Sequence, residues 1–323
     1  MRLGAPKPLP WPEGRDSWTD AEPGSGDSQT VLVTTRFRCS ADSLLRDEPL
    51  AGTAPTEAAW LLIEDPGPWG SRALTESRLP AVVRTRLLEL AGVRVQLIRR
   101  YGGGERPGAR VFAATAGEAG FRLESALLED TTEVLGLDLA GLAAGGFAGL
   151  PAYEGPLWLV CTNGRRDVCC AESGRPVAAA LTRRWPESTW ETTHLGGHRF
   201  AATLLALPSG LVLGRLDPDS ALAACVAVER GEVPLDVCRG RAGAAPGAQV
   251  AELHVRELLG LRGSAGVEVL RTDPGNRVTV RAGGADYVVH VQEQPGDARR
   301  LSCADLTAKP TGRFTVTEVV RLH

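Results

Sequence analysis

Residues 157–170 read LWLVCTNGRRDVCC, an apolar run that passes into a polar loop and ends in a cysteine pair. The run predicts a buried strand that ends at its first cysteine. The next segment, GRPVAAALTRRW at 174–185, predicts a helix with Pro176 near its first turn. The segment STWETTHLGGH at 188–198 predicts a second strand. Together these segments predict a strand, helix, strand unit with cysteines and histidines at the strand ends.

An earlier part of the chain repeats this plan. The second strand is followed by a predicted hairpin at 199–216 and by the helical segment DPDSALAACVAVERG. Residues 58–144 predict the same order, and their last helix spans DTTEVLGLDLAGLAA at 130–144. The two copies also match in local sequence, because WLLI in the first copy aligns with WLVC in the second. Ile63 therefore takes the place of Cys161 in the first copy.

This order predicts the α/β fold class, with two tandem thioredoxin-like domains and a small C-terminal α+β appendage. The appendage begins with the helical segment AQVAELHVRELLGL and continues with alternating strands, and nothing in it indicates chemistry. The start of the chain is rich in Pro, Gly, Ser and acidic residues, which is typical of a disordered tail. The predicted segments are the tail at 1–28, a domain without cofactor at 29–148, the domain with the cysteine loop at 149–240, and the appendage at 241–323.

The composition limits the class of protein. The chain has 323 residues, 43% apolar and 23% charged, which is typical of a globular protein with more than one domain. A formal net charge of −3 argues against nucleic-acid binding through phosphate neutralisation. No run approaches the ~20 apolar residues of a membrane span, and no apolar segment of a signal peptide is seen. The seven cysteines are irregularly spaced, which favours the cytoplasm over a secreted disulfide framework.

Two cysteines and two histidines are candidate ligands. Cys161 ends the first strand of the second domain, and Cys169 or Cys170 lies near a helix start, where the helix dipole favours a thiolate. His194 and His198 flank a glycine pair after the next strand, so both can reach the same edge. Such ligands suit zinc or a [2Fe-2S] cluster, and the Cys-x8-Cys spacing is wider than that of zinc knuckles. A thiol redox pair that includes Cys169, and a site without cofactor, stay open.

Three stretches resemble the sucrase/ferredoxin-like family, namely GPWG, LVCTNGRRDVCCAESGRPVAAAL and HLGGHRFAATLLALPSG. The resemblance covers most of residues 35–262. It implies that the second domain is a thioredoxin-like ferredoxin in which His-x3-His replaces a second cysteine pair. It further implies a [2Fe-2S] cluster held by Cys161, Cys170, His194 and His198, with Cys169 as the alternative to Cys170.

The resemblance also implies a function in electron transfer. The protein would receive electrons from an unknown donor and act as a reductase toward an unknown acceptor. Imidazole ligands raise the reduction potential of such a cluster and can couple its reduction to proton uptake. The alternatives are a module with structural zinc in the same ligands and a thiol-disulfide oxidoreductase that uses the same cysteine loop. Sugar hydrolysis needs two facing carboxylates, and because no such pair stands out, we do not expect a hydrolase. The oligomeric state stays open.

Charged residues flank the candidate ligands. We expect Arg165, Arg166 and Arg199 to steer an anionic partner or to donate hydrogen bonds to the cluster, the plain alternative being solvated arginines. Asp167 is placed to orient the loop through backbone N–H groups. The sequence predicts no role for the remaining cysteines: Cys225 is expected to be a buried thiol, and no partner is visible for Cys39, Cys238 and Cys303.

Overall fold

A computed structural model describes three stretches of the chain, residues 36–104, 107–118 and 120–322. The elements described below all lie in one compact unit, Phe37–His323. The predicted disordered tail at 1–28 lies outside the described residues.

Within the described residues, the larger sheet has nine strands in the order β4-β3-β1-β2-β6-β5-β7-β8-β9. The strands are β1 (Ala59–Glu64), β2 (Arg94–Arg99), β3 (Ala109–Gly117), β4 (Gly120–Leu128), β5 (Leu157–Cys161), β6 (Thr189–Thr192), β7 (Leu204–Leu207), β8 (Leu211–Leu213) and β9 (Cys238–Arg241). The described α-helices are α1 (Cys39–Leu45), α2 (Ala81–Leu88), α3 (Leu139–Ala143), α4 (Val168–Arg184), α5 (Pro218–Glu229) and α6 (Pro246–Leu259). This confirms the predicted α/β class.

The two halves of this sheet share one pairing scheme. In the first half β1 is parallel to β2 and antiparallel to β3, and β3 is antiparallel to β4. In the second half β5 is parallel to β6 and antiparallel to β7, and β7 is antiparallel to β8. The halves join where β2 and β6 pair antiparallel through Ile98 and Thr192. The thioredoxin-like assignment and the predicted segment boundaries stay predictions.

The core lies on both faces of the sheet. Strands β1 and β5 are almost entirely buried, as expected for strands covered on two sides. Trp158 packs with apolar residues of α4 and α5 on one face, while Trp60 and Trp190 lie in the core of the other face. None of the described helices combines the length and the apolar character that crossing a membrane requires.

Helix α4 begins at Val168, earlier than the sequence predicted, and Pro176 lies inside it rather than in its first turn. The physical reason is the side chain of Asp167, which accepts a hydrogen bond from the backbone N–H of Cys169 and caps the helix there. Gly174 faces β5 so closely that a Cβ at this position would overlap the carbonyl oxygen of Cys161. The helix therefore packs tightly on the strand that carries the first candidate ligand.

The predicted helix at 130–144 is interrupted. Thr131–Gly136 forms a 3-10 helix, and Leu137 is extended with φ −73° and ψ 151° before α3 begins. The side chains of Asp130 and Asp138 each accept a backbone N–H, so the segment contains two helix starts where the sequence predicted one.

The C-terminal part has, within the described residues, an antiparallel sheet in the order β10-β11-β12-β13. Its strands are β10 (Val267–Asp273), β11 (Arg277–Ala282), β12 (Ala285–Arg299) and β13 (Lys309–Arg321). Val250 and Val255 of α6 pack on the inner face of this sheet, together with Val278 and Val289. Strands β12 and β13 are longer than the alternation predicted, and the turn between them carries Cys303.

Candidate metal centre

Three candidate ligands meet where two neighbouring parallel strands end. Cys161 is the last residue of β5 and pairs with Thr192, the last residue of β6. His194 follows β6, and the loop 162–167 leads from β5 to α4, whose first turn carries Cys170. The carboxyl ends of parallel strands lie at the same edge of a sheet. The elements therefore bring Cys161, Cys170 and His194 together, and we call these three residues the inner group.

The inner group presents two sulfurs and one ring nitrogen to a common point. Nδ1 of His194 lies 3.9 Å from Sγ of Cys161 and 3.8 Å from Sγ of Cys170. The three ligand atoms lie within 4.8 Å of one another, so the group can hold a metal ion. Both cysteine side chains are buried. Thiolate and imidazole are the ligands that soft and borderline metals prefer.

The two thiols of the inner group differ in the direction of their pKa shifts. The thiol of Cys170 donates a hydrogen bond that lowers the pKa of Cys161 well below its usual value, and His194 lowers it further. The same hydrogen bond raises the pKa of Cys170. Cys161 is therefore the more acidic thiol of the pair, and metal binding requires the thiolate form.

His198 lies beside the inner group and not within it. Its ring stacks on that of His194, with centroids 5.1 Å apart and an interplanar angle of 28°. Its Nδ1 lies 3.6 Å from Oδ2 of Asp167 and 3.6 Å from Sγ of Cys39. Burial lowers the pKa of His198 to about 4, so the ring is neutral near pH 7. An imidazole whose Nδ1 faces a carboxylate keeps Nε2 for a metal, a common arrangement in metal sites.

Residues from other strands hold the loop that carries His194 and His198. The carbonyl oxygen of His194 accepts hydrogen bonds from Nη2 of Arg94 at 2.9 Å and from Nε2 of Gln96 at 3.2 Å. The carbonyl oxygen of Gly196 accepts one from Nη1 of Arg239 at 3.1 Å. Arg94 and Gln96 belong to β2, so the first half of the sheet supports the site even though Ile63 replaces a ligand there.

A second set of side chains lies next to the first, and we call it the outer group: Cys39, Asp167, Cys169 and Cys303. Sγ of Cys169 lies 3.2 Å from Sγ of Cys303 and 3.7 Å from Sγ of Cys39. Cys39 and Cys303 thus have close partners, and the expectation that they have none is wrong. The expectation that the C-terminal appendage carries no chemistry stays a prediction, although the β12–β13 turn places Cys303 in this group.

Asp167 connects the two groups. Its Oδ1 accepts the backbone N–H of Cys169 at 3.0 Å, and its Oδ2 accepts the backbone N–H of Cys303 at 2.8 Å and the hydroxyl of Ser302 at 3.0 Å. Burial raises the pKa of this carboxyl, but these hydrogen bonds and nearby His198 outweigh burial and bring it below its usual value. The charged carboxylate therefore anchors the start of α4 and the β12–β13 turn to one point.

The flanking arginines differ in their surroundings. The side chains of Arg165 and Arg166 are exposed, and Nε of Arg199 lies 2.8 Å from Oε1 of buried Glu48. Asn163 ties the cysteine loop to the first half, because its Nδ2 donates to the carbonyl oxygen of Gly70 at 3.2 Å. Whether the arginines steer a partner stays a prediction.

Several residues of the site carried no readable signal in the sequence. Cys39 and Cys303 are 264 positions apart and share no motif spacing with the cysteine loop. Arg94, Gln96 and Arg239 act through single hydrogen bonds to backbone carbonyls, which any polar residue on a neighbouring strand could make. The one available hint was the unexplained cysteines themselves.

The comparisons with known proteins agree with part of this arrangement. A family model described as sucrase/ferredoxin-like matches residues 50–240, more than half of the chain. The matched segment contains the whole inner group and His198, and it leaves out Cys39 and Cys303. Neither a curated protein nor a solved structure matches the chain.

Proposed function

Because the chain belongs to the sucrase/ferredoxin-like family, we propose that it is an electron-transfer protein that holds one [2Fe-2S] cluster. The proposed ligands are Cys161, Cys170, His194 and His198. The observation that carries the proposal is the convergence of two buried thiols and Nδ1 of His194 at the carboxyl ends of β5 and β6.

The donor set fits such a cluster. Cysteine thiolates and neutral imidazoles are the known protein ligands of two-iron clusters. The lowered pKa of Cys161 favours the thiolate, and the pKa of about 4 keeps His198 neutral near pH 7, which are the forms that bind a metal. When bound, the cluster supplies one-electron chemistry, at a potential that neutral imidazole ligands raise.

The surrounding residues position these ligands. Asp167 faces Nδ1 of His198, which leaves Nε2 of that ring as the atom that would bind a metal. Arg94 and Gln96 fix the backbone at His194, and Arg239 fixes it at Gly196. Because the loop is held at the carbonyl oxygens of His194 and Gly196, the two rings keep their stacked arrangement without help from a regular helix.

Proton coupling is part of the proposal. The atom that would hold the proton is Nδ1 of the proposed ligand His198, which faces Asp167. If reduction is accompanied by proton uptake, the reduction potential falls as pH rises. A potential that stays constant with pH would contradict this part and leave the cluster assignment intact.

The proposal extends to partners and compartment. The electron donor and the acceptor are unknown proteins or small molecules, and exposed Arg165 and Arg166 favour a partner with an acidic contact surface. The site needs reduced thiols, which the cytoplasm provides.

The test is the metal content and spectrum of the purified full chain. We expect about two iron and two sulfide per chain, visible absorption, and an EPR signal after reduction, as a two-iron cluster requires. Cys161→Ser should abolish all three, while Cys225→Ser, which alters a buried thiol on α5, should keep them. A colourless zinc protein would favour the structural-zinc alternative, and a metal-free protein with titratable thiols would favour the thiol oxidoreductase.

A further inference from the structure

We propose that the outer group is a second metal site, which binds one Zn²⁺ through Cys39, Cys169, Cys303 and Asp167. This site is separate from the inner group and does not depend on the cluster. The family match does not imply it, because Cys39 and Cys303 lie outside the matched residues 50–240.

The geometry of the three sulfurs is close to what zinc needs. The Sγ atoms form a triangle with sides of 3.7 Å (Cys39 to Cys169), 3.6 Å (Cys39 to Cys303) and 3.2 Å (Cys169 to Cys303). Tetrahedral zinc with Zn–S bonds of about 2.3 Å places its sulfurs about 3.8 Å apart. The thiols therefore need to move only slightly to become ligands.

Asp167 completes the tetrahedron. Its Oδ1 lies 3.6 Å from Sγ of Cys39, and a carboxylate oxygen and a sulfur on the same zinc lie about 3.6 Å apart. The carboxylate is oriented by the hydrogen bonds from Cys169, Ser302 and Cys303. Nδ1 of His198 is also 3.6 Å from Sγ of Cys39, but its ring is stacked on His194 and is assigned to the cluster.

The chemistry of the group selects the metal. Three thiols and one carboxylate are a donor set for zinc and not for Mg²⁺ or Ca²⁺, which prefer oxygen ligands. Cys39 and Cys169 are each 1% exposed. The close packing of the three thiols becomes energetically favourable when a cation replaces their protons.

The site joins three distant parts of the chain. Cys39 is the first residue of α1, Cys169 lies in the first turn of α4, and Cys303 lies in the β12–β13 turn. The sequence separations are 130 residues from Cys39 to Cys169 and 134 from Cys169 to Cys303. A closed four-ligand zinc would hold α1 and the hairpin against the start of α4, next to the inner group. Its role is structural.

The experiment measures zinc and iron per chain in the full protein, purified under reducing conditions, and then the zinc affinity by competition with a chromogenic chelator. We expect one zinc in the wild type. Cys303→Ser should weaken zinc binding by more than about 100-fold, since even loss of an outer-shell partner costs about 10 to 100-fold. It should leave the iron content unchanged. Cys161→Ser should lose iron and keep zinc, and Cys225→Ser should keep both.

A second variant keeps the proposal open to refutation if serine disturbs folding. Cys303→His replaces one zinc ligand by another and should bind zinc, with Co²⁺ in its place showing the visible bands of a tetrahedral site that has lost one thiolate. The proposal is overturned if the folded wild type binds no zinc. It is also overturned if Cys303→Ser retains zinc while Cys161→Ser loses it, or if the outer cysteines hold iron.

Discussion

Cys169 and Cys170 are neighbours in the chain, yet their thiols belong to different groups. Sγ of Cys170 lies 3.8 Å from Nδ1 of His194, whereas Sγ of Cys169 lies 3.2 Å from Sγ of Cys303. Successive residues of an α-helix point about 100° apart. Because α4 begins at Val168, the two thiols leave the helix in different directions, and each reaches its own set of partners.

This divergence predicts opposite phenotypes for two adjacent substitutions. Cys170→Ser should abolish the visible absorption and the iron content, because it removes an inner-group ligand. Cys169→Ser should keep both and lose zinc. The two variants are matched controls for each other, since they make the same chemical change at adjacent positions. Equal loss of iron in both variants would contradict the division into two groups.

The sequence predicts the inner group because its members lie at the ends of local, strongly patterned segments. The apolar run before Cys161 and the predicted strand before His194 show where the two strands end. Parallel pairing of these strands brings their ends together. Cys39 and Cys303 could not be predicted in this way. The proximity of Cys39 and Cys303 depends on the length of the β12–β13 hairpin and on the position of α1. Both are set by tertiary packing.

The first residue of a helix is also set partly by contacts that the sequence does not reveal. The sequence predicts α4 to begin near Pro176, because proline favours the first turn of a helix. The structure has the start at Val168, because Asp167 caps it with a hydrogen bond to Cys169. The sequence predicts that Asp167 binds backbone N–H groups of the loop, and its hydrogen bond from Cys169 agrees with this. Which N–H it accepts, and so where the helix begins, depends on the folded backbone.

Two substitutions at Asp167 should separate its charge from its hydrogen bonds. Asp167→Ala leaves the backbone N–H groups of Cys169 and Cys303 without their acceptor and should lower the free energy of unfolding by about 3 kcal/mol. Asp167→Asn removes the charge that faces Nδ1 of His198 but keeps one of the two acceptor oxygens, so it should fold with a smaller loss of stability than Asp167→Ala. We expect a shifted EPR spectrum and weaker zinc binding.

Urea unfolding and metal analysis measure these effects. Asp217→Ala is the matched control, since Asp217 caps α5 through Asp219 and Ser220 and lies outside both groups. It should leave the metal content unchanged. If Asp167→Asn kept the EPR spectrum and the zinc affinity of the wild type, Asp167 would be a helix cap only.

Gly174 allows α4 to lie directly on β5. A methyl group there would overlap the carbonyl oxygen of Cys161, a backbone atom that cannot move without shifting the ligand. Gly174→Ala should therefore lower the free energy of unfolding by about 2 kcal/mol, although alanine is the better helix former by about 1 kcal/mol. It should also accelerate loss of the cluster to a chelator. Gly266→Ala, where a Cβ would meet open space, should change neither quantity.

Buried Cys238 should make the protein sensitive to alkali. Burial raises the pKa of this thiol to about 12 from the ordinary value of 9.0. Between these two values the unfolded chain has released the proton while the folded chain retains it, so the unfolded state binds fewer protons and stability falls as pH rises. The contribution of this one group reaches about 1.4 kcal/mol per pH unit.

Replacement of the thiol tests this prediction through the slope of stability against pH. We expect Cys238→Ala to reduce the decline in the free energy of unfolding between pH 9 and 12 by up to one proton equivalent, measured by urea titration at several pH values. Val233→Ala, also in the core beside α5, lowers stability through a cavity but removes no titratable group, so its slope should match that of the wild type. If the Cys238→Ala slope also matched the wild type, the thiol would ionise equally in both states, and its burial would not carry the alkaline sensitivity.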